Sequence, residues 1–244
     1  MPGDGDLMVD TAMVTTLYLI RHGATEGDGA LRYKGSIDVP LSARGAEQVE
    51  RTSRYIRRHL GNVASSAYRS YLRDIHGKTV EGISEHDSGS LQAVYTSDLS
   101  RAVKSAEIIA EPYDLMPIVV ADLRERHFGV WEDMTFQEIK ERFPQEFEAW
   151  AENPLKYSPP EGESTVGVSC RVLAVLESIL KKHRGGAISM VSHGGVNRVI
   201  LCHLLGMPLE NIFRIEQDHA AVNIIEFWDA YPVVKLMNGR CESE

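Results

Sequence analysis

The chain is predicted to fold as an α/β sandwich around a mostly parallel sheet, and three observations predict it. Short β-prone apolar runs alternate with segments of helical spacing, the order that yields parallel strands covered by helices. Polar, reactive residues stand just beyond three of those runs: Arg21-His22, Ser97-Asp98 with nearby Arg101, and His193. Open α/β sheets bind ligands beyond the carboxyl ends of their strands. Finally, 43% apolar and 25% charged residues over 244 positions is an ordinary globular composition, enough for one large domain with a buried core.

Residues 1–14 begin Gly- and Asp-rich without periodicity and are read as a loose tail before a single domain over 15–244. Thr16-Leu17-Tyr18-Leu19-Ile20 is a short apolar, β-prone run, the pattern of a strand buried on both faces and central in its sheet. From 42 to 60 the spacing predicts a helix, with Ala46, Val49, Ile56 and Leu60 inward. Its arginines (44, 51, 54, 57 and 58) form a solvated face. Residues 61–92, rich in Ser, Gly and His, read as an insertion lying on the surface.

Ala93-Val94-Tyr95-Thr96 is the second predicted strand, followed by a helix over 100–110 that Pro112 brings to a stop. The third strand covers 117–120. Phe136, Ile139, Phe143, Phe147 and Trp150 recur at helical spacing, and Pro144 splits the run into two short helices by occupying the first turn of the second. Substrate specificity is expected from the cap around Phe136, Phe143, Phe147 and Trp150 and from the insertion, while the aromatics themselves read as core residues rather than substrate contacts. A long amphipathic helix over 166–182 turns Val168, Val172, Val175, Leu176 and Ile179 inward. The fourth strand covers 187–191 and a helix runs on to about 205. Segments 221–228 and 232–237 close the chain as two strands, a hairpin at a sheet edge.

A net charge of −9 argues against a general nucleic-acid binder, because phosphate backbones demand basic surface. No apolar run approaches the roughly 20 residues that span a bilayer, so no membrane partner is expected. The acidic N-terminus has the wrong polarity for a secretory signal. Cys170, Cys202 and Cys241 fit neither a zinc site nor a redox pair and read as reduced thiols in a cytoplasmic protein.

The residues at the strand ends share one chemistry. A neutral imidazole such as His22 is a competent nucleophile toward phosphorus, and neighbouring cations disfavour its protonation. Arg21 and Arg101 suit phosphate oxygens through bidentate hydrogen bonds, and His193 adds a donor. Phosphoryl transfer depends above all on such preorganised positive charge. A departing alkoxide needs a proton, and Glu125 is the available acid. Arginines and histidines supply the positive charge, so no metal or other cofactor is expected. His203, by contrast, reads as an ordinary helix residue.

Leu19-Ile20-Arg21-His22-Gly23-Ala24-Thr25-Glu26 resembles the nucleophile motif of the histidine phosphatase superfamily, in the branch of phosphoglycerate mutases and α-ribazole phosphatases. Gly35, Asp38, Pro40-Leu41-Ser42 and Gly45 match the segment that leads into the first helix. Tyr95 to Ala102 is similar to the second arginine motif, Leu123 to Glu132 to the acid-bearing motif, and Val191 to Gly195 to the second histidine motif. The resemblance spans about 15–237. It implies a three-layer α/β/α sandwich with a small cap over about 126–165. It also implies His22 as phosphorylated nucleophile, Glu125 as proton donor, and Arg21, Arg101 and His193 as phosphate ligands. Thr25, Asp28 and Gly194 are further candidate contacts. Relatives carry Asn where Asp28 stands, and a carboxylate there repels a phosphate dianion unless protonated or turned away.

The expected activity is hydrolysis of a small phosphorylated metabolite. A mutase shares every catalytic residue and differs in a longer segment after the acid motif. That segment is short here, and Pro159-Pro160-Glu161-Gly162-Glu163-Ser164 resembles the phosphatase type. A non-catalytic binder of phosphorylated ligands has no need of both a nucleophile and an acid. A homodimer is compatible with the sequence.

Overall fold

The computed structural model describes residues 14–27, 32–62, 89–229 and 231–241. The tail before Val14, Asp28, and the insertion between residues 63 and 88 lie outside them. In chain order the elements are β1 (Val14–Arg21), α1 (Ala43–Asn62), β2 (Ala93–Thr96), α2 (Ser100–Ala110) and β3 (Ile118–Val119). The short helices α3 (Phe136–Arg142) and α4 (Pro144–Glu152) follow, then α5 (Thr165–Lys182), β4 (Ala187–Ser192), α6 (Gly194–Leu204), β5 (Val222–Trp228) and β6 (Tyr231–Gly239). Val14, placed in the tail by the sequence, is the first residue of β1.

Among the described residues the strands form one sheet in the order β3-β2-β4-β1-β5-β6. The first four are mutually parallel, and β5 and β6 add an antiparallel hairpin at one edge, as expected. β1 is central. Its alternate residues feed two cores, because successive strand side chains point to opposite faces. Leu17 and Leu19 pack with Val172, Leu176, Ile200 and Leu201 from α5 and α6. Tyr18 and Ile20 pack with Val49, Ile56, Ala106 and Ile109 from α1 and α2. The result is a three-layer α/β/α sandwich. The exposed arginine face of α1 is solvated as read, although Ala46 is only partly buried. The third strand is reduced to two half-exposed residues at the sheet edge.

Two packing details seat the loop after β1. Gly23 lies so close to Gly45 that a Cβ on Gly23 would collide with the Gly45 carbonyl, and a Cβ on Gly45 with Ala24. Only glycines allow this approach. Ser42 locks the contact: its hydroxyl donates to Ala24 O (2.9 Å) and accepts from Gly45 N (3.1 Å) at the start of α1.

One sequence expectation is overturned here. Phe136, Phe143, Phe147 and Trp150 are not core residues. α4 has no buried residue at all, and within α3 only Ile139 is buried. Pro144 does open α4 as predicted. The two helices lie over the sheet's carboxyl end, where Phe136, Phe147 and Trp150 line a cavity of about 280 Å³.

Candidate active site

Strand register brings the reactive residues together. Arg21 pairs with Ser192 across β1 and β4, so the residues that follow, His22 and His193, emerge side by side. Their ring centroids are 5.1 Å apart. β2 flanks β4 on its other side and ends at Thr96, which delivers Ser97 to His193 and starts the turn into α2. Arg101 projects from the first turn of α2 and is 2% exposed.

His22 is buried, and its Nδ1 lies 2.7 Å from Gly23 O. A carbonyl can only accept, so Nδ1 carries the proton and the lone pair stays on Nε2. Burial, followed by His193, Arg21 and Arg101, holds the His22 pKa well below the ordinary histidine value. His193 is likewise shifted well down by burial and by the same arginines. The Ser97 hydroxyl sits 2.8 Å from His193 Nε2 and also accepts from Leu99 N. His193 Nδ1 is buried with no hydrogen-bond partner among the described residues. A buried ring nitrogen without a partner calls for one supplied from outside, and it donates to an oxyanion in the tautomer that carries its proton.

The guanidiniums are fixed by main-chain acceptors. Arg21 donates to Gln217 O (2.6 Å) and to His219 Nε2 (2.8 Å). Beneath it Gln217 and Asn223 interlock with Asn197 in a buried amide network. Arg101 forks onto Ile37 O (2.6 Å) and Gly35 O (2.7 Å). Gly35 has φ +50°, and a Cβ there would collide with the Glu132 carboxylate, so glycine is needed to present that carbonyl.

Glu125 faces the same cavity. One oxygen accepts from Gly195 N and the other from Arg126 N, both at 2.9 Å. A Cβ on Gly195 would stand 2.5 Å from that carboxylate, so the small residue makes room for it. The loop bearing Glu125 is clamped by Arg171, which donates to the carbonyls of Asp122 (2.7 Å), Arg124 (2.8 Å) and Glu125 (3.3 Å) while pairing with Glu163. Asp98 does not join the cluster; it pairs with Arg124 (2.5 Å).

Every sequence-predicted principal residue therefore converges on one site: Arg21, His22, Arg101, Glu125 and His193. Thr25 and Gly194 line the same cavity, and Asp28 lies outside the described residues. His203 is exposed on α6, away from these groups. Sequence reasoning missed His219, whose ring centroid is 5.6 Å from that of His22, and Arg126, which lines the cavity while donating to Glu163 O, Thr165 Oγ1 and Tyr157 O. Arg126 was within reach, since it follows Glu125 in a recognised motif. Nothing marked His219.

The neutral histidines make stability depend on pH. Each native pKa lies below the unfolded value of about 6.5, so the unfolded chain takes up protons that the native state refuses. Their stabilising contribution is complete above about pH 6.5 and is lost as pH falls below it, by up to about 2.7 kcal/mol per pH unit for the pair. Thermal melts of ligand-free protein should show a falling Tm from pH 7 to 5.5, with a shallower fall in the His22→Gln, His193→Gln double variant. An equal slope in both proteins contradicts the assignment.

Two neutral imidazoles, two fixed guanidiniums and a carboxylate around one cavity define a protein equipped to hold a tetrahedral oxyanion, at the end of an α/β sheet. The chain belongs to the histidine phosphatase superfamily (branch 1), whose family model matches residues 17–73 and 80–240. Phosphoserine phosphatase 1 of Hydrogenobacter thermophilus is 29% identical over 225 residues, covering 92% of each chain. The metal-independent phosphoserine phosphatase of Arabidopsis thaliana is 31% identical over 190 residues, 77% of this chain and 67% of its own. The crystal structure of a putative alpha-ribazole-5'-P phosphatase from Escherichia coli shares the fold, with a TM-score of 0.73 and 24% identity over 96% of this chain and 100% of that one.

No helix among the described residues is long and apolar enough to cross a membrane.

Proposed function

We propose that this protein is a phosphomonoesterase that hydrolyses a phosphorylated metabolite through a phosphohistidine on His22. The observation that carries the reading is the His22 tautomer. Nδ1–H is tied to Gly23 O, which leaves the Nε2 lone pair beside Arg21, Arg101 and His193.

In the first step Nε2 attacks phosphorus and the P–O bond to the alcohol breaks. Protonated Glu125 gives its proton to the departing alkoxide. Arg21, Arg101 and the Nδ1–H of His193 stabilise the equatorial oxygens. In the second step the Glu125 carboxylate takes a proton from water, the water oxygen bonds to phosphorus, and the N–P bond breaks. Neutral His22, protonated Glu125 and inorganic phosphate result, so atoms and charge balance over the cycle. Hydrolysis is favoured over mutase transfer by the short cap helices and by the named activities of the phosphoserine phosphatase relatives. Three unpaired cysteines support a reducing, cytoplasmic setting.

No step uses a metal, and no group of three His, Cys, Asp or Glu side chains among the described residues is arranged to hold one. Release of inorganic phosphate from a panel of phosphomonoesters should therefore be unchanged after EDTA treatment. Transfer to 3-phosphoglycerate in the presence of its bisphosphate should be slower than hydrolysis. Activity lost to EDTA and restored by zinc or magnesium, or transfer outrunning hydrolysis, contradicts the proposal.

A further inference from the structure

Among the described residues the apolar stripe of α4 is only partly covered, and none of its residues is buried. Phe147 and Trp150 face the cavity instead of the core, and Phe136 of α3 joins them at 48% exposure. The rings touch in series: Phe136 and Phe147 lie 5.0 Å apart, Phe147 and Trp150 5.7 Å, and Trp150 and buried Trp131 6.4 Å. Phe213, 70% exposed, lines the same cavity from the segment after α6. Exposed rings grouped inside a concave site are a binding wall rather than scattered surface hydrophobes.

The charges in the wall exclude a cationic alcohol. Among the described residues lining the cavity, Glu125 is the single carboxylate, and it is held by the main chain beside the phosphate end. An ester bearing an ammonium group would meet arginines there and no counter-ion beyond that acid.

We propose that the alcohol released by this enzyme is a large apolar one, aromatic by preference, whose ring system docks on the Phe136, Phe147 and Trp150 wall while its phosphate lies at His22. The inference rests on the phosphomonoesterase reading and narrows its substrate class. An amino-alcohol ester such as phosphoserine is correspondingly a poor substrate.

The test keeps the leaving group constant, since aryl esters react faster for chemical reasons alone. Ethyl phosphate and naphthylethyl phosphate both release primary alkoxides. The wild-type kcat/KM for the naphthylethyl ester should exceed that for ethyl phosphate and for phosphoserine by roughly 100-fold, the scale expected for burying a bicyclic ring. Trp150→Ala should reduce that ratio by about tenfold, as should Phe213→Ala, whose exposed side chain has no part in the core. Equal kcat/KM values in the wild type, or a ratio unmoved in both folded variants, overturns the proposal while leaving a phosphatase. Failure of the phosphatase reading looks different, because no ester then releases phosphate. In that event affinities for naphthylmethyl phosphonate and methyl phosphonate, measured by calorimetry, still decide: tighter binding of the aromatic ligand supports the wall, and equal binding rejects it.

Discussion

Replacing His22 with alanine should lower kcat for every phosphomonoester by on the order of 10⁴-fold or more, because the variant loses the atom that bonds to phosphorus. The loss should appear in kcat rather than in KM, since Arg21 is anchored on Gln217 and His219, and Arg101 on the carbonyls of residues 35 and 37, without help from the imidazole. The variant should remain folded. Removing the ring leaves a cavity but also removes a buried group that must stay neutral, and circular dichroism separates misfolding from lost chemistry. Phosphate release at anything near the parental rate, by a folded His22→Ala protein, would mean that water attacks the ester directly.

The second large effect belongs to Glu125. Glu125→Gln keeps the shape, and its one amide oxygen can accept from either the Gly195 or the Arg126 N–H, but it has no acidic proton to give. Alkyl esters, whose alkoxides leave badly without protonation, should slow by roughly 10²- to 10⁴-fold. Aryl esters with acidic phenols should slow by less than about tenfold in the phosphorylation step. The diagnostic quantity is therefore the ratio of the two losses, read from single-turnover kinetics. Equal losses on both ester classes would make Glu125 a structural residue, one that ties the loop to the start of α6.

The fold and the principal site residues were legible because each left a local mark. β1 is buried on both faces, so Leu17 to Ile20 shows no polar alternation. Pro144 can only open a helix, so α3 and α4 separate there. His22, Ser97 and His193 follow strands directly, and parallel pairing of β1, β4 and β2 leaves them no option but adjacency. What stayed hidden depends on partners distant in the chain. His219 reaches Arg21 because β5 runs antiparallel to β1, and no spacing in the sequence records that pairing. The amide network under Arg21 uses residues common in loops and strands alike. Helical periodicity placed Phe136, Phe147 and Trp150 on one stripe, yet periodicity does not say what covers a stripe. Here no described residue buries it, and a pattern typical of core lines the cavity instead.

The most direct test is to trap the enzyme during turnover. Mixing with a rapidly reacting ester, quenching in alkali within milliseconds and mapping the peptides should reveal a single added PO₃ group on the His22 peptide. The group should be stable to base and labile to acid, and it should form and decay at rates that account for steady-state turnover. Steady turnover with no modified peptide, or with the group on any other residue, would contradict a phosphohistidine at position 22.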